Sequence, residues 1–271
     1  MSITTTTAAP AKDDAIRWYD LGTKSIPAAM GEILLKWSEI PENQVMEHVS
    51  KLRSQAFQTY PYPCIGQSRF LNVNISDHVL YPKIISSLKN GSHSFLDAGC
   101  CFGQELRKLA FDKAPPETLY GIDLEPSFIE LGFDLFQDRR KMANATFIAG
   151  DLLDPDKGWP ELKGNIDFIL TNSLFHLFPR PEQMKVACQL VSFSRAQSGS
   201  LIFGRQVGSA VPGEFRALTE GNTYFRHSPQ SLENFWHEVG QLTGTSWKTE
   251  AYLDMTDLNH NKDYLSSEEA K

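Results

Sequence analysis

The sequence predicts an α/β fold: a doubly wound, mostly parallel sheet behind an N-terminal helical cap. Three observations predict it. The stretch Ser94 to Asp123, SFLDAGCCFGQELRKLAFDKAPPETLYGID, reads as strand, glycine turn, helix and strand, closed by an acid. After Asp123 the alternation of helix and apolar strand continues to about Phe203. Ahead of residue 92 only helical periodicity is found, broken by one proline-rich aromatic loop.

The expected elements follow in chain order. Residues 1–13 are Thr/Ala-rich and polar, which predicts a disordered tail, and a short helix starts over Asp14 to Tyr19. A helix from Pro27 to about Glu39 opens on a proline at its first position and turns Ile33, Leu34 and Trp37 inward. A second starts at Pro41 and carries Val45, Val49, Leu52 and Ala56 on one face until Pro61 stops it. The loop Tyr60 to Phe70, YPYPCIGQSRF, is interrupted too often by Pro61, Pro63 and Gly66 to be a regular element, yet it is apolar enough to cover something. A packed linker and a lid are both consistent with it. A helix over Leu80–Leu88 leads into the first strand.

Beyond Asp123 come a helix over Ser127–Phe136, strands over Ala145–Ala149 and Ile166–Leu170, a helix over Pro181–Ala196 and a strand from Leu201 to Phe203. A helix over Pro229–Leu242 and a strand over Trp247–Leu253 finish the pattern, and the tail over 256–271 is too polar to supply a further strand. The organisation expected is a cap and substrate lid over 14–92 and a nucleoside-binding domain over 93–255. Ligands then sit over the carboxyl ends of the strands.

Composition narrows the function classes. The 271 residues are 41% hydrophobic and 22% charged, as in an ordinary soluble domain, and the formal net charge of −7 with scattered basic residues argues against nucleic acid as a partner. No apolar run reaches the ~20 residues of a membrane span and the start MSITTTTAAPAKDD lacks an apolar core, so a cytoplasmic setting is expected. The cysteines Cys64, Cys100, Cys101 and Cys188 show neither metal-ligand spacing nor a disulfide framework, so reduced thiols and no metal are expected. Sequons at Asn74, Asn90 and Asn144 would matter only in a secreted chain.

The turn selects the ligand. Gly99 and Gly103 flank it in the pattern D-x-G-x-x-x-G, with Asp97 ahead of the first glycine, unlike the G-x-G-x-x-G that cradles a pyrophosphate. A zwitterionic methionine end needs a carboxylate for its ammonium, which Asp97 supplies, and Asp123 at the end of the second strand can accept from both ribose hydroxyls. Leu124 follows it. S-adenosylmethionine is therefore the expected cofactor, with a purely structural glycine turn as the alternative. Asp151 and Leu152 in FIAGDLL stand where an adenine amino group and ring nitrogen would be met, although Asp after Gly is also a common turn residue. Asn172 ends the fourth strand and borders cofactor and acceptor.

For the acceptor, Tyr62 and Phe70 in the loop are candidate lining residues. His176 in NSLFHLFPR is a candidate for positioning, or equally a packed core residue. Arg69 and Arg205, with Arg226 and His227 behind them, are candidates for an anionic group, since a guanidinium meets a carboxylate bidentately.

The stretches LDAGCCFG, YGIDLEP and FIAGDLL resemble the class I S-adenosylmethionine-dependent methyltransferases. ILLKWSEIPENQVMEHV, the PYPCIGQ loop and the doubled cysteine look more narrowly like fungal methyltransferases of meroterpenoid gene clusters. The resemblance implies methyl esterification of the carboxyl group of a prenylated aromatic polyketide acid by a cytosolic enzyme. A departure from the broad pattern is Cys101, which stands where that superfamily has its middle glycine and whose Cβ would intrude at positive φ. A carboxylate acceptor needs no base, whereas a phenol of pKa about 10 would call on His176. A phenol methyltransferase, a cyclase or isomerase that keeps its methyl group, and a binding partner of a true methylase remain as alternatives, and a homodimer is left open.

Overall fold

The computed structural model describes Tyr19 and residues 25–154, 156–216 and 223–254. The tails over 1–13 and 256–271, and all but the last residue of the helix expected at Asp14, lie outside the described residues.

The cap begins with helix α1 (Ala28–Glu32), which continues as one π turn over Ile33–Trp37. The Ser38 N–H donates to Ile33 O at 2.9 Å, and Glu39 at φ 58° ends the element short of its expected boundary. Helix α2 (Glu42–Thr59) buries Val45, Val49, Leu52 and Ala56 as their spacing predicts. The loop after it is more regular than its prolines suggest. Pro63 takes the first turn of a short helix α3 (Pro63–Gly66), where a missing N–H costs nothing, and a 3₁₀ turn follows over Arg69–Leu71. A second 3₁₀ turn over Ile75–Asp77 and helix α4 (Tyr81–Lys89) complete the cap.

The sheet runs β1 (Phe95–Ala98), β2 (Leu119–Asp123), β3 (Thr146–Ala149), β4 (Phe168–Leu170) and β5 (Leu201–Phe203), in spatial order β3-β2-β1-β4-β5 and wholly parallel. Helices α5 (Gln104–Phe111), α6 (Pro126–Phe136) and α7 (Arg180–Phe193) are the crossovers. The order reverses between β1 and β4, so a crevice opens above the ends of these strands. Asp97 is paired with Gly121 on one side and Leu170 on the other, at its floor.

Two expectations fail at the carboxyl-terminal end. Residues 247–253 form no strand. No strand edge among the described residues pairs with them, Tyr252 is exposed, and Trp247 packs on Trp236 with ring centroids 5.8 Å apart. A separate antiparallel hairpin, β6 (Gly213–Arg216) and β7 (Thr223–Arg226), was not foreseen. Helix α8 (Pro229–Thr243) then starts on a reciprocal Ser228–Ser231 capping box and stops at Gly244.

The core has two parts. One unites the α5 and α6 side of the sheet with the cap: Met30, Ile33, Leu34, Val49 and Ile65 belong to the same cluster as Leu106, Leu109 and Phe128. The other joins the sheet to α7 and α8. Cap and domain are also pinned by a fully buried ion pair, Arg107 Nε to Asp138 Oδ2 at 3.1 Å, on which the Trp37 indole N–H converges at 2.9 Å.

Candidate cofactor and acceptor site

The glycine turn lies over the carboxyl end of β1 and alternates into the left-handed region at Gly99, Cys101 and Gly103, with φ of 81°, 50° and 66°. A Cβ on Gly103 would lie 2.5 Å from the Arg107 guanidinium, so this glycine is required by packing as well as by backbone. Cys101 does adopt the positive φ that only glycine takes without cost. The turn compensates by a bond from the Cys101 N–H to Asp123 Oδ2 at 2.7 Å.

That bond corrects a simple view of the turn as an array of outward N–H donors. The N–H groups of Gly99 and Cys100 both donate to Ile122 O, and that of Gly103 to Cys100 O, so they are occupied within the chain. What the turn offers is acceptor capacity. Asp97 is 2% exposed, its Oδ2 is buried and has no hydrogen-bond partner, and burial together with the charges of Glu105 and Asp123 holds its carboxyl well above the usual range. An orphaned anionic acceptor in a dry site fits an ammonium group.

Asp123 accepts from Cys101 N–H through one oxygen and from Glu125 N–H at 3.0 Å through the other. A carboxylate has about four lone-pair sites, so each oxygen keeps capacity for a ribose hydroxyl. Leu124 beside it is 57% exposed, an apolar surface next to the acid. Asp151 is exposed and its Oδ1 accepts from Leu153 N–H at 2.8 Å, which is the turn-forming arrangement, while Leu152 is buried behind it.

The proline-rich loop lies over this end of the site. The Tyr62 hydroxyl is pushed up by burial and by the neighbouring Tyr60, Asp123, Cys64 and Cys101, and its ring stands 6.0 Å from Phe128. Its ring also meets Tyr60 with centroids 4.1 Å apart. Phe70 does not line a pocket: it is 4% exposed and meets Phe102 edge-on at 4.7 Å, so it anchors the loop in the core.

On the other side, the chain beyond β4 and the chain beyond β5 leave the sheet together. Thr171 N–H donates to Phe203 O and Ser173 N–H to Arg205 O, and Asn172 Oδ1 accepts from Arg205 N–H at 3.1 Å. His176, half-buried, accepts at Nδ1 from Val207 N–H at 3.4 Å. In a neutral imidazole this leaves the proton on Nε2. Its pKa is lowered to about 4 by burial first and then by the guanidinium groups of Arg226 and Arg69. The charges of these two arginines, one from the loop and one from β7, thus act on the same ring. Arg205 contributes its backbone N–H to this arrangement, and the Arg226 guanidinium lies 4.3 Å over the Phe215 ring and donates to Tyr224 Oη at 2.8 Å. The signal for Arg226 was present as one basic residue among four candidates. What could not be read was the hairpin that delivers it. His227, another of those candidates, is a core residue bonded to Gln183 and Ser231.

A five-stranded parallel sheet reversing at β1/β4, with a glycine turn at the end of β1 and acids at the ends of β1 and β2, has the architecture of a class I S-adenosylmethionine-dependent methyltransferase. The comparisons agree. A profile of the meroterpenoid methyltransferase N-terminal domain matches residues 18–71 and a methyltransferase-domain profile matches residues 95–195. O-methyltransferase atr3 of Stereocaulon alpinum is 39% identical over 88% of this chain and 69% of its own length. O-methyltransferase phiE of a fungal species is 35% identical over 86% and 78%, and the asnovolin E/chermesin D methyltransferase nvfJ of Aspergillus novofumigatus 36% identical over 80% and 78%. The chain belongs to this family of fungal secondary-metabolism methyltransferases, and S-adenosylmethionine is its cofactor.

Proposed function

We propose that the enzyme methyl-esterifies the carboxyl group of an apolar small-molecule acid, a prenylated aromatic polyketide acid. The observation that carries this is the setting of His176: the Val207 N–H donates to its Nδ1, which in a neutral ring assigns the proton to Nε2, and the charges of Arg226 and Arg69 both act on it. Donors and cations suit an ionised carboxylate. A base for a phenol would need the opposite, an imidazole nitrogen open to a proton.

S-adenosylmethionine supplies an electrophilic methyl group on a good leaving group. The residues of the chain have the work of alignment and exclusion of water. Asp97 orients the ammonium end and Asp123 the ribose, while Tyr62 closes the loop over them. Arg69, Arg226 and the His176 Nε2–H would place the carboxylate against the methyl group that bound S-adenosylmethionine would supply, and because the acceptor is already ionised these residues have no proton to remove.

The same reading makes the acceptor a free small molecule rather than a nucleic acid, in keeping with the net charge of −7, and sets the enzyme in the cytoplasm. No helix among the described residues is long and apolar enough to cross a membrane. A homodimer is part of the same proposal, and light scattering that finds only monomer overturns that part. The deciding experiment supplies methyl-labelled cofactor with matched panels of apolar aromatic acids and phenols. Label that mild alkali releases as methanol is an ester and supports the proposal; alkali-stable label is an ether and overturns it, as does the absence of any labelled product.

A further inference from the structure

Gln183, at the start of α7, is fully buried, yet both ends of its amide are engaged. Its Nε2 donates to Phe178 O at 3.0 Å and to Phe225 O at 2.8 Å, and its Oε1 faces His227 Nε2 at 3.0 Å. Turned over, the amide would set its oxygen against two carbonyls, so its orientation is fixed. His227 Nε2 therefore carries a proton and donates to Gln183, and in a neutral ring Nδ1 accepts from the Ser231 hydroxyl at 2.9 Å. The ring is itself buried and stands edge-on to Phe225 at 4.7 Å.

Three segments meet at this pair. The chain after β4 arrives through Phe178, whose carbonyl takes a further bond from the Phe225 N–H at 2.9 Å. The hairpin arrives through Phe225 and His227, and the chain after β5 through the Ser209 N–H, which donates to His227 O at 3.0 Å. That last approach leaves no room for a side chain: a Cβ on Gly208 would lie 2.9 Å from His227 O and 2.8 Å from Leu253 Cδ2. His176 stands two residues before Phe178, and its donor Val207 two residues before Ser209. The two partners of the 3.4 Å bond from Val207 N–H to His176 Nδ1 are thus carried by segments that converge on one buried pair. The bond is already long, so a small parting of the segments breaks it.

We propose that Gln183 and His227 are positioning residues for the acceptor side of the site, holding the segments beyond β4 and β5 at the separation at which Val207 fixes the tautomer of His176. This rests on the reading of the His176 Nε2–H as a donor to the acceptor, and it concerns what keeps that proton there. If the pair only filled the core, its loss would lower stability and leave the state of His176 as it was.

The test is nitrogen NMR of His176 in the full chain at neutral pH. It compares the unaltered protein with Gln183→Leu, which removes the amide, and with Gly208→Ala, which pushes the chain after β5 off His227 O and leaves the amide in place. The unaltered protein should show a single Nε2–H tautomer, and both variants an averaged mixture of the two tautomers. Affinity for S-adenosylhomocysteine should stay within about twofold, since Asp97 and Asp123 belong to β1 and β2 and share no partner with the pair. With an aromatic acid that the unaltered enzyme esterifies, Q183L should raise KM about fivefold at little cost in kcat, the equivalent of one hydrogen bond, and the rise should vanish in a His176→Ala background. A single unshifted Nε2–H tautomer in either folded variant, or a KM rise that persists in the His176→Ala background, would overturn the proposal. Should Q183L not fold, the Gly208→Ala comparison decides alone. If the labelled product is an ether or none forms, the acceptor reading falls while the tautomer comparison still decides the positioning role.

Discussion

Replacing Asp123 by alanine separates two jobs that the structure gives to one side chain. Its oxygens hold the backbone of the glycine turn, through Cys101 N–H at 2.7 Å and Glu125 N–H at 3.0 Å. Each such bond to a charged acceptor is worth about 1.5–3 kcal/mol, against which the variant no longer buries a carboxylate, so the net cost to folding should be about 2–3 kcal/mol. The remaining lone pairs are assigned to two ribose hydroxyls, and at about 1.5 kcal/mol each their loss weakens ligand binding by about two decades. Asp123→Asn retains one acceptor oxygen but turns an NH₂ toward the Glu125 N–H, so it should lose about one decade. Calorimetric titration with S-adenosylhomocysteine reads the binding part, and urea unfolding of the same samples reads the folding part. An alanine variant that is folded and binds S-adenosylhomocysteine with unchanged affinity would refute the assignment of Asp123 to the ribose.

Burial raises the carboxyl of Asp97, so the unliganded protein is favoured by its protonated form, and this contribution is present below about pH 4 and lost as pH rises through the raised value. An ammonium ligand prefers the carboxylate; the stabilisation by S-adenosylhomocysteine, read as a thermal shift, should therefore grow from pH 5.5 to pH 8, and a pH-independent shift would count against Asp97. His176→Ala should leave kcat within about tenfold, whereas removal of a general base would cost about a hundredfold or more; nitrogen NMR of the unaltered protein should show His176 as the Nε2–H tautomer, titrating near pH 4. Asp138→Ala leaves Arg107 charged and buried without its partner, and the loss on urea unfolding should be about 3–5 kcal/mol. A chain lacking residues 1–70 should fail to give a cooperative thermal transition, because it strips the cap from the shared core.

The parallel sheet was legible because each strand is a short apolar run ending in a turn former, and the glycine turn with its two acids because Asp97, Gly99, Gly103 and Asp123 sit at fixed offsets around it. Those are local facts, carried by neighbours in sequence. Non-local facts were not legible. Phe70 reads as an aromatic in a loop, and only its contact with Phe102 shows that it belongs to the core. Arg226 owes its position to β7, which is pinned to the chain after β4 by a bond from Phe225 N–H to Phe178 O. Glu105 carries no motif at all; its partners at 74, 75 and 172 are separated from it by about thirty residues or more. The expected strand at 247–253 failed for the complementary reason, since local composition permits extension but cannot supply a partner edge.

The nature of the lid also changes once packing is considered. As a sequence, residues 14–92 look like a separate helical module hinged on a stiff loop. In the structure Met30, Ile33, Leu34, Val49, Ala56 and Ile65 are fully buried in the same cluster as α5 and α6, and Arg53 reaches from α2 to the Gly66 carbonyl at 2.6 Å. A module that shares its core with the domain cannot swing away as a body without exposing several large apolar side chains, each worth about 1.5–3 kcal/mol of burial. Opening to admit an acceptor must then be confined to what projects from that core, which is the segment bearing Tyr62, Cys64 and Arg69. Ile65 and Phe70 are buried in that core and Tyr62 packs half-buried against it, which leaves Cys64 and Arg69 as the exposed side chains of the segment. The aromatic loop is thus part of the wall of the shared core rather than a separate hinged module.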